Sequence, residues 1–91
     1  MLKVVLSNQF KKDLKIAQKR GLDIDLLTNV VNKLANEENL PPQNKDYNLI
    51  GEYAGYRECH VQPDWLLVYK IEKSELLLFL FRTGMHSDLF R

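Results

Sequence analysis

Two apolar runs near the end of this 91-residue chain, Trp65 to Ile71 and Leu76 to Phe81, are separated only by Glu72-Lys73-Ser74-Glu75. A polar connector that short joins antiparallel strands, so the pair commits the chain to a hairpin. The second run is apolar at every position, which asks for strand neighbours on both sides and cover on both faces. Upstream, Tyr56 to Val61 reads as a half-exposed strand joined to Trp65 through Gln62-Pro63-Asp64, where proline ends ladder bonding and Asp suits a turn. A turn centred between Lys73 and Ser74 sets Trp65 opposite Arg82. In the resulting meander the end of the first strand, the start of the second and the end of the third meet at one edge of the sheet. His60, Asp64, Trp65 and Arg82 are thereby predicted to converge, and His86 to join them once Gly84 turns the tail back. Both histidines of the chain enter one polar cluster.

Everything upstream reads as scaffold. Leu2 to Leu6 is aliphatic and β-branched, and Ser7 after it is a good helix N-cap. A helix over roughly Asn8 to Arg20 turns Phe10, Leu14 and Ala17 inward and Lys11, Lys12, Lys15 and Lys19 outward, with Gly21 as its stop. Asp23 caps a second helix with a buried stripe of Leu27, Val30, Val31 and Leu34, fraying near Glu37 to Asn39. The two helices form an antiparallel pair on one face of the sheet, an α+β arrangement. Leu40 to Gly55 is a long connection of the kind that often carries function, and it holds Tyr47.

Length and composition narrow the classes further. The chain is expected to form one domain over residues 1–91. No stretch approaches the roughly 20 apolar residues of a membrane span, and Met1 to Leu6 lacks the long apolar segment of a signal peptide. A single cysteine, Cys59, excludes an intramolecular disulfide and a cysteine-rich zinc site, so a reducing cytoplasm is expected. Cys59 alternates with the face of His60 and is expected to be a buried thiol. The net charge of +1 carries no global nucleic-acid signature, so any such binding must rest on local clusters.

Two blocks closely resemble the YafQ-type toxins of the RelE/ParE superfamily: Gly55-Tyr56-Arg57-Glu58-Cys59-His60-Val61-Gln62-Pro63-Asp64-Trp65-Leu66-Leu67-Val68-Tyr69 and Arg82-Thr83-Gly84-Met85-His86-Ser87-Asp88-Leu89-Phe90. The order strand, two helices, three strands resembles that fold over essentially the whole chain. The resemblance implies an α+β, RelE/ParE-like domain with an N-terminal strand, two antiparallel helices on an antiparallel sheet and a short C-terminal helix. It also implies a toxin of a bacterial type II toxin–antitoxin system that cleaves mRNA on translating ribosomes, with no metal and no other cofactor. The implied partners are a cognate antitoxin, the ribosome and mRNA, with operator DNA met only through the antitoxin complex and no membrane. Position by position, the family's active-site residues correspond to His60, Asp64, Trp65, Arg82, His86 and Phe90. Tyr47, in Lys45-Asp46-Tyr47, stands where such toxins often carry another histidine. A phenol with an ordinary pKa near ~10 is a poor base at neutral pH but can hydrogen-bond a phosphate.

RNA carries its own nucleophile, the 2′-hydroxyl, so cleavage needs a base, an acid for the departing 5′ oxygen and positive charge on the phosphate. His86 is expected to be the acid, Asp64 or His60 the base or the group that orients it, and Arg82 the phosphate holder. Trp65 and Phe90 are expected to stack on unpaired bases, and Lys11, Lys12 and Lys15 to meet ribosomal RNA phosphates. Taken singly, each has a plainer role: His60 bonded to Asp64 at a strand end, Asp64 a turn residue, Arg82 an ion pair, Phe90 core. Their convergence is what points to chemistry. The alternative is a non-catalytic toxin, since the same fold hosts inhibitors of DNA gyrase. Two histidines beside an arginine favour cleavage over that alternative.

Overall fold

The hairpin forms where the apolar runs predict it, with its turn centred one residue later than expected. A computed structural model describes residues 1–89. β4 (Trp65–Glu72) and β5 (Leu77–Met85), in the numbering used below, pair from Glu72↔Leu77 and leave residues 73–76 as the connection. The later turn centre, between Ser74 and Glu75, moves the register by two residues, and a bulge beyond Tyr69↔Leu80 moves it by one more. Trp65 therefore lies opposite Met85, and Arg82 opposite Val68, which corrects the expected Trp65–Arg82 pairing.

On one side of this hairpin lies β3 (Arg57–Gln62), edged by the two-residue strand β2 (Tyr47–Asn48). On the other side lies β1 (Lys3–Leu6), giving the order β1-β5-β4-β3-β2. β1 runs parallel to β5 while the other pairs are antiparallel, so the sheet is mixed where an antiparallel one was expected. A parallel neighbour needs a long connection, and here two helices and three strands supply it. Pairing of β1 stops at Leu6↔Leu80, so from Phe81 onward β5 keeps β4 on one side and has no strand on the other. That uncovered edge is where α1 begins.

Ser7 caps α1 (Asn8–Lys19) by accepting from the Phe10 amide, and its hydroxyl donates to the Phe81 carbonyl at 2.6 Å. Gly21 follows the helix with a φ of 78°, a conformation glycine adopts without penalty. Asp23 caps α2 (Ile24–Ala35) at the Asp25 amide, and the helix ends just before the predicted frayed segment. Phe10 and Ala17 of α1 and Leu27, Val30 and Leu34 of α2 share one core with Cys59, Trp65, Leu67, Tyr69, Leu78 and Leu80. Each such aliphatic side chain contributes roughly 1.5–3 kcal/mol when fully buried. The opposite face of β5 is covered by loop residues: the rings of Tyr56 and Tyr53 lie 4.8 and 6.4 Å from that of Phe81. Among the described residues no helix is long and apolar enough to cross a membrane.

Candidate active site

The loop after α2 supplies the first part of the site. Lys45 takes a left-handed φ of 44° and turns the chain into β2. Asp46 then accepts from the Tyr69 hydroxyl at 2.6 Å and from Arg57 Nε at 3.1 Å, while Arg57 Nη1 donates to Asn48 at 2.6 Å. These bonds hold the short strand against β3. Tyr47 pairs with Glu58, and its hydroxyl donates to the Glu58 carboxylate. The bond, followed by burial and the Glu58 charge, pushes the Tyr47 phenol up to about 12. Tyr47 is thus a donor at neutral pH and still farther from acting as a base.

Glu58 is buried, and alternation along β3 puts it on the face of His60. His60 Nε2 lies 3.9 Å from Glu58 Oε1, and the Tyr47 ring is centred 6.5 Å from that of His60. On its other side His60 Nδ1 lies 3.0 Å from the Pro63 carbonyl, where Asp64 had been expected as the partner. The reason is the irregular register after His60, which lifts the turn and brings a backbone oxygen within reach. A carbonyl only accepts, so Nδ1 carries a proton and Nε2 is left as the nitrogen that can exchange one. Asn44 Nδ2 donates to the His60 carbonyl at 2.6 Å and anchors the strand at that point.

Across the sheet, His60 is opposite Leu66, and Leu66 opposite Gly84. Two steps of about 4.8 Å each separate the His60 backbone from that of Gly84. A parallel row runs Glu58, Val68, Arg82, so Arg82 starts on the histidine face with one apolar residue between it and Glu58. The tail returns over this end of the sheet as α3 (His86–Leu89), and the His86 amide donates to the Asp64 carbonyl at 3.0 Å. Gly84 has no left-handed backbone angle. Its role is close approach, since a Cβ there would lie 3.3 Å from Leu89 Cδ2.

The structure thus brings Tyr47, Glu58 and His60 into contact, ties His86 to the Asp64 turn, and sets Arg82 on the same face. Trp65 does not join them. It is fully buried and its indole donates to Thr83 Oγ1 at 2.9 Å, so its ring has no face to offer an RNA base, and the expected stacking role is corrected. The shift of three residues, an odd number, puts it on the face opposite Arg82, in the core with Leu67 and Tyr69. Lys11, Lys12 and Lys15 lie on the exposed side of α1. Phe90 falls outside the described residues.

Two residues of this region escaped the sequence reading, Glu58 and Asp13. Both gave signals: Glu58 stands two positions before His60 on a strand, and Asp13 interrupts the inward stripe of α1 between Phe10 and Ala17. Cys59 is buried, and burial pushes its thiol up, as expected of an inert core cysteine. Among the described residues no group of three or more His, Cys, Asp or Glu side chains is placed to hold a metal ion.

The comparisons with known proteins agree over the whole chain. The family model described as the bacterial toxin of type II toxin–antitoxin systems, YafQ, matches residues 2–91. The mRNA interferase toxin YafQ of Escherichia coli K12 is 45% identical over 85 residues, 92% of this chain and 90% of that protein. A metal-bound toxin from Helicobacter pylori superposes with a TM-score of 0.93 at 52% identity, covering 99% of this chain and all of that one. YafQ in the E. coli DinJ–YafQ complex superposes with a TM-score of 0.91 at 41% identity, with both chains fully covered. The chain therefore belongs to the YafQ family of toxins from bacterial type II toxin–antitoxin systems.

Proposed function

We propose that this toxin arrests growth by cutting mRNA on translating ribosomes, with the 2′-hydroxyl of the substrate as nucleophile and no metal ion in the step. The chain is an endoribonuclease of the mRNA interferase class, in keeping with its relatives. His60 Nε2 takes the 2′-hydroxyl proton, and the oxygen attacks the adjacent phosphorus. The P–O5′ bond breaks, His86 protonates the leaving oxygen, and a 2′,3′-cyclic phosphate and a 5′-hydroxyl result. Arg82 holds the phosphate charge. Glu58 stabilises the imidazolium formed on His60, Tyr47 holds Glu58 by its hydroxyl, and the Asp64 turn keeps His86 in place.

The observation that carries this reading is the clamping of His60, with its Nδ1 at the Pro63 carbonyl and its Nε2 toward a buried carboxylate. A histidine so held is oriented for proton transfer, whereas a gyrase-binding surface has no need of such an arrangement. The partners are a cognate antitoxin, as DinJ is for the E. coli toxin, and the mRNA-loaded ribosome in the cytoplasm. Lys11, Lys12 and Lys15 meet ribosomal RNA phosphates, and operator DNA is reached only through the antitoxin.

Mapping mRNA 5′ ends after brief induction in cells lacking the antitoxin tests this. Wild-type protein should give codon-phased cuts, and His86→Ala should lose on the order of 10²–10⁴-fold in cleavage with the fold intact. Growth arrest without cuts, equal in the two proteins, would sink the mechanism.

A further inference from the structure

We propose that Asp13, on the inward side of α1, is a positioning residue for the reaction: it holds the guanidinium of Arg82 in the orientation that receives the phosphate. The inference rests on the nuclease reading above and adds to it a residue from the helix layer.

Asp13 is buried, and its two oxygens accept four donors. Oδ2 accepts from Arg82 Nε at 3.0 Å and from the Thr83 amide at 3.2 Å. Oδ1 accepts from Arg82 Nη2 at 3.2 Å and from Gln9 Nε2 at 3.1 Å. A carboxylate offers about four acceptor sites, so this one is fully used, and the two bonds to Arg82 form a planar fork. Both leave from Nε and Nη2, so Nη1 is not committed to Asp13. The Arg82 side chain keeps 31% of its exposure against 5% for Asp13. One edge of the guanidinium is held by the helix, and the other makes no hydrogen bond to any of the described residues.

The surroundings explain why a clamp is needed here. Arg82 lies just past the bulge in β5, on the stretch that β1 no longer covers. A long side chain at an uncovered strand edge would sample many rotamers, and fixing two of its donors removes that freedom before substrate arrives. The helix is itself registered to the bulge at two points, through Ser7 to the Phe81 carbonyl and through Asp13 to the Thr83 amide. A purely structural pair has a weaker rationale. Buried ion pairs are often matched or exceeded in stability by apolar residues of similar volume, so retention of one beside the proposed site calls for another reason.

The test is single-turnover cleavage of mRNA on programmed ribosomes by wild type, Asp13→Asn, Arg82→Ala and the double variant. Toxin is kept in excess, and slow reactions are followed for hours. Ribosome affinity and thermal melting are measured on the same proteins. Asp13→Asn should lose on the order of 10²-fold in the cleavage step, because a misplaced phosphate holder costs about that much, while its ribosome affinity stays within about twofold of wild type. In the Arg82→Ala background the same change should cost less than about threefold, since nothing remains to be positioned. If Asp13→Asn melts below the assay temperature, Gln9→Met replaces it. That variant removes one of the four donors to Asp13, and its smaller loss should likewise vanish without Arg82. Full activity of the Asp13 variant, or a loss that multiplies unchanged with that of Arg82→Ala, would overturn the proposal. A wild-type protein that cuts nothing would overturn the nuclease reading instead.

Discussion

Trp65 shows how much a single residue's surroundings decide. By composition an indole beside Pro63-Asp64 is as suitable for stacking on RNA as for core packing. In the fold it is fully enclosed, and its N–H is satisfied by Thr83, whose own hydroxyl donates to the Leu66 carbonyl at 2.7 Å. Trp65→Phe leaves the Thr83 hydroxyl without its donor and opens space. It should cost about 1–3 kcal/mol in urea unfolding, with the cleavage rate of the folded protein unchanged. A base-stacking tryptophan would give the reverse: stability kept and substrate affinity lost. Tyr47 illustrates the same point from the exposed side. Its phenol is committed to Glu58, so what replaces the family's usual histidine is a donor that fixes a carboxylate.

At the scale of elements, α1 presents two chemically different sides. Its inner side packs Phe10 and Ala17 into the core and sends Asp13 to Arg82, while its outer side carries Lys11, Lys12 and Lys15. The three side chains are exposed and form no ion pair among the described residues. Reversing all three to Glu should leave the melting temperature nearly unchanged, since Lys11 and Lys15 are already like charges four residues apart and remain so when reversed. Ribosome binding should weaken by about tenfold or more, with a flatter dependence on salt. Unchanged binding in a sedimentation assay would confine ribosome contact to the sheet side. Capping is a separate contribution of the same helix, for Ser7 joins the helix start to β5 and so sets where Asp13 falls along the bulge.

For the whole molecule, three acids held protonated to high pH, two of them within the sheet and one at its edge, bear on alkaline stability. Cys59 and Tyr69 are pushed up chiefly by burial, and Tyr47 to about 12 chiefly by its bond to Glu58. In each case the folded value lies above the unfolded one, so the folded state holds its proton longer. The associated stability is fully present below the ordinary values of 9.0 for the thiol and 10.0 for the phenols, and is lost as pH rises past them. Thermal melts should be level up to about pH 9 and fall steadily from there toward pH 12. Tyr47→Phe should make the fall between pH 10 and 12 shallower, and an identical slope would show that the phenol is not held as described.

Local chemistry made most of the architecture legible. Periodicity in Phe10, Leu14 and Ala17, the caps Ser7 and Asp23, and the stop at Gly21 act over a few residues, so the helices lie where those signals put them. The apolar runs likewise located β4 and β5, and the strand order that brings His60, Asp64 and His86 to one end of the sheet follows from a meander. What the sequence could not decide depends on counts that accumulate along a ladder. A turn centred one residue later than the polar connector suggests, and a bulge at Phe81, displaced Arg82 by three positions and sent Trp65 inward. Partners far apart in the chain were hidden for the same reason: nothing local announces that Asp13 will meet Arg82 across 69 positions, or that Tyr47 will close over Glu58. Residue types and their order determined which groups were available for chemistry. Register, set by tertiary pairing, decided which of them face one another.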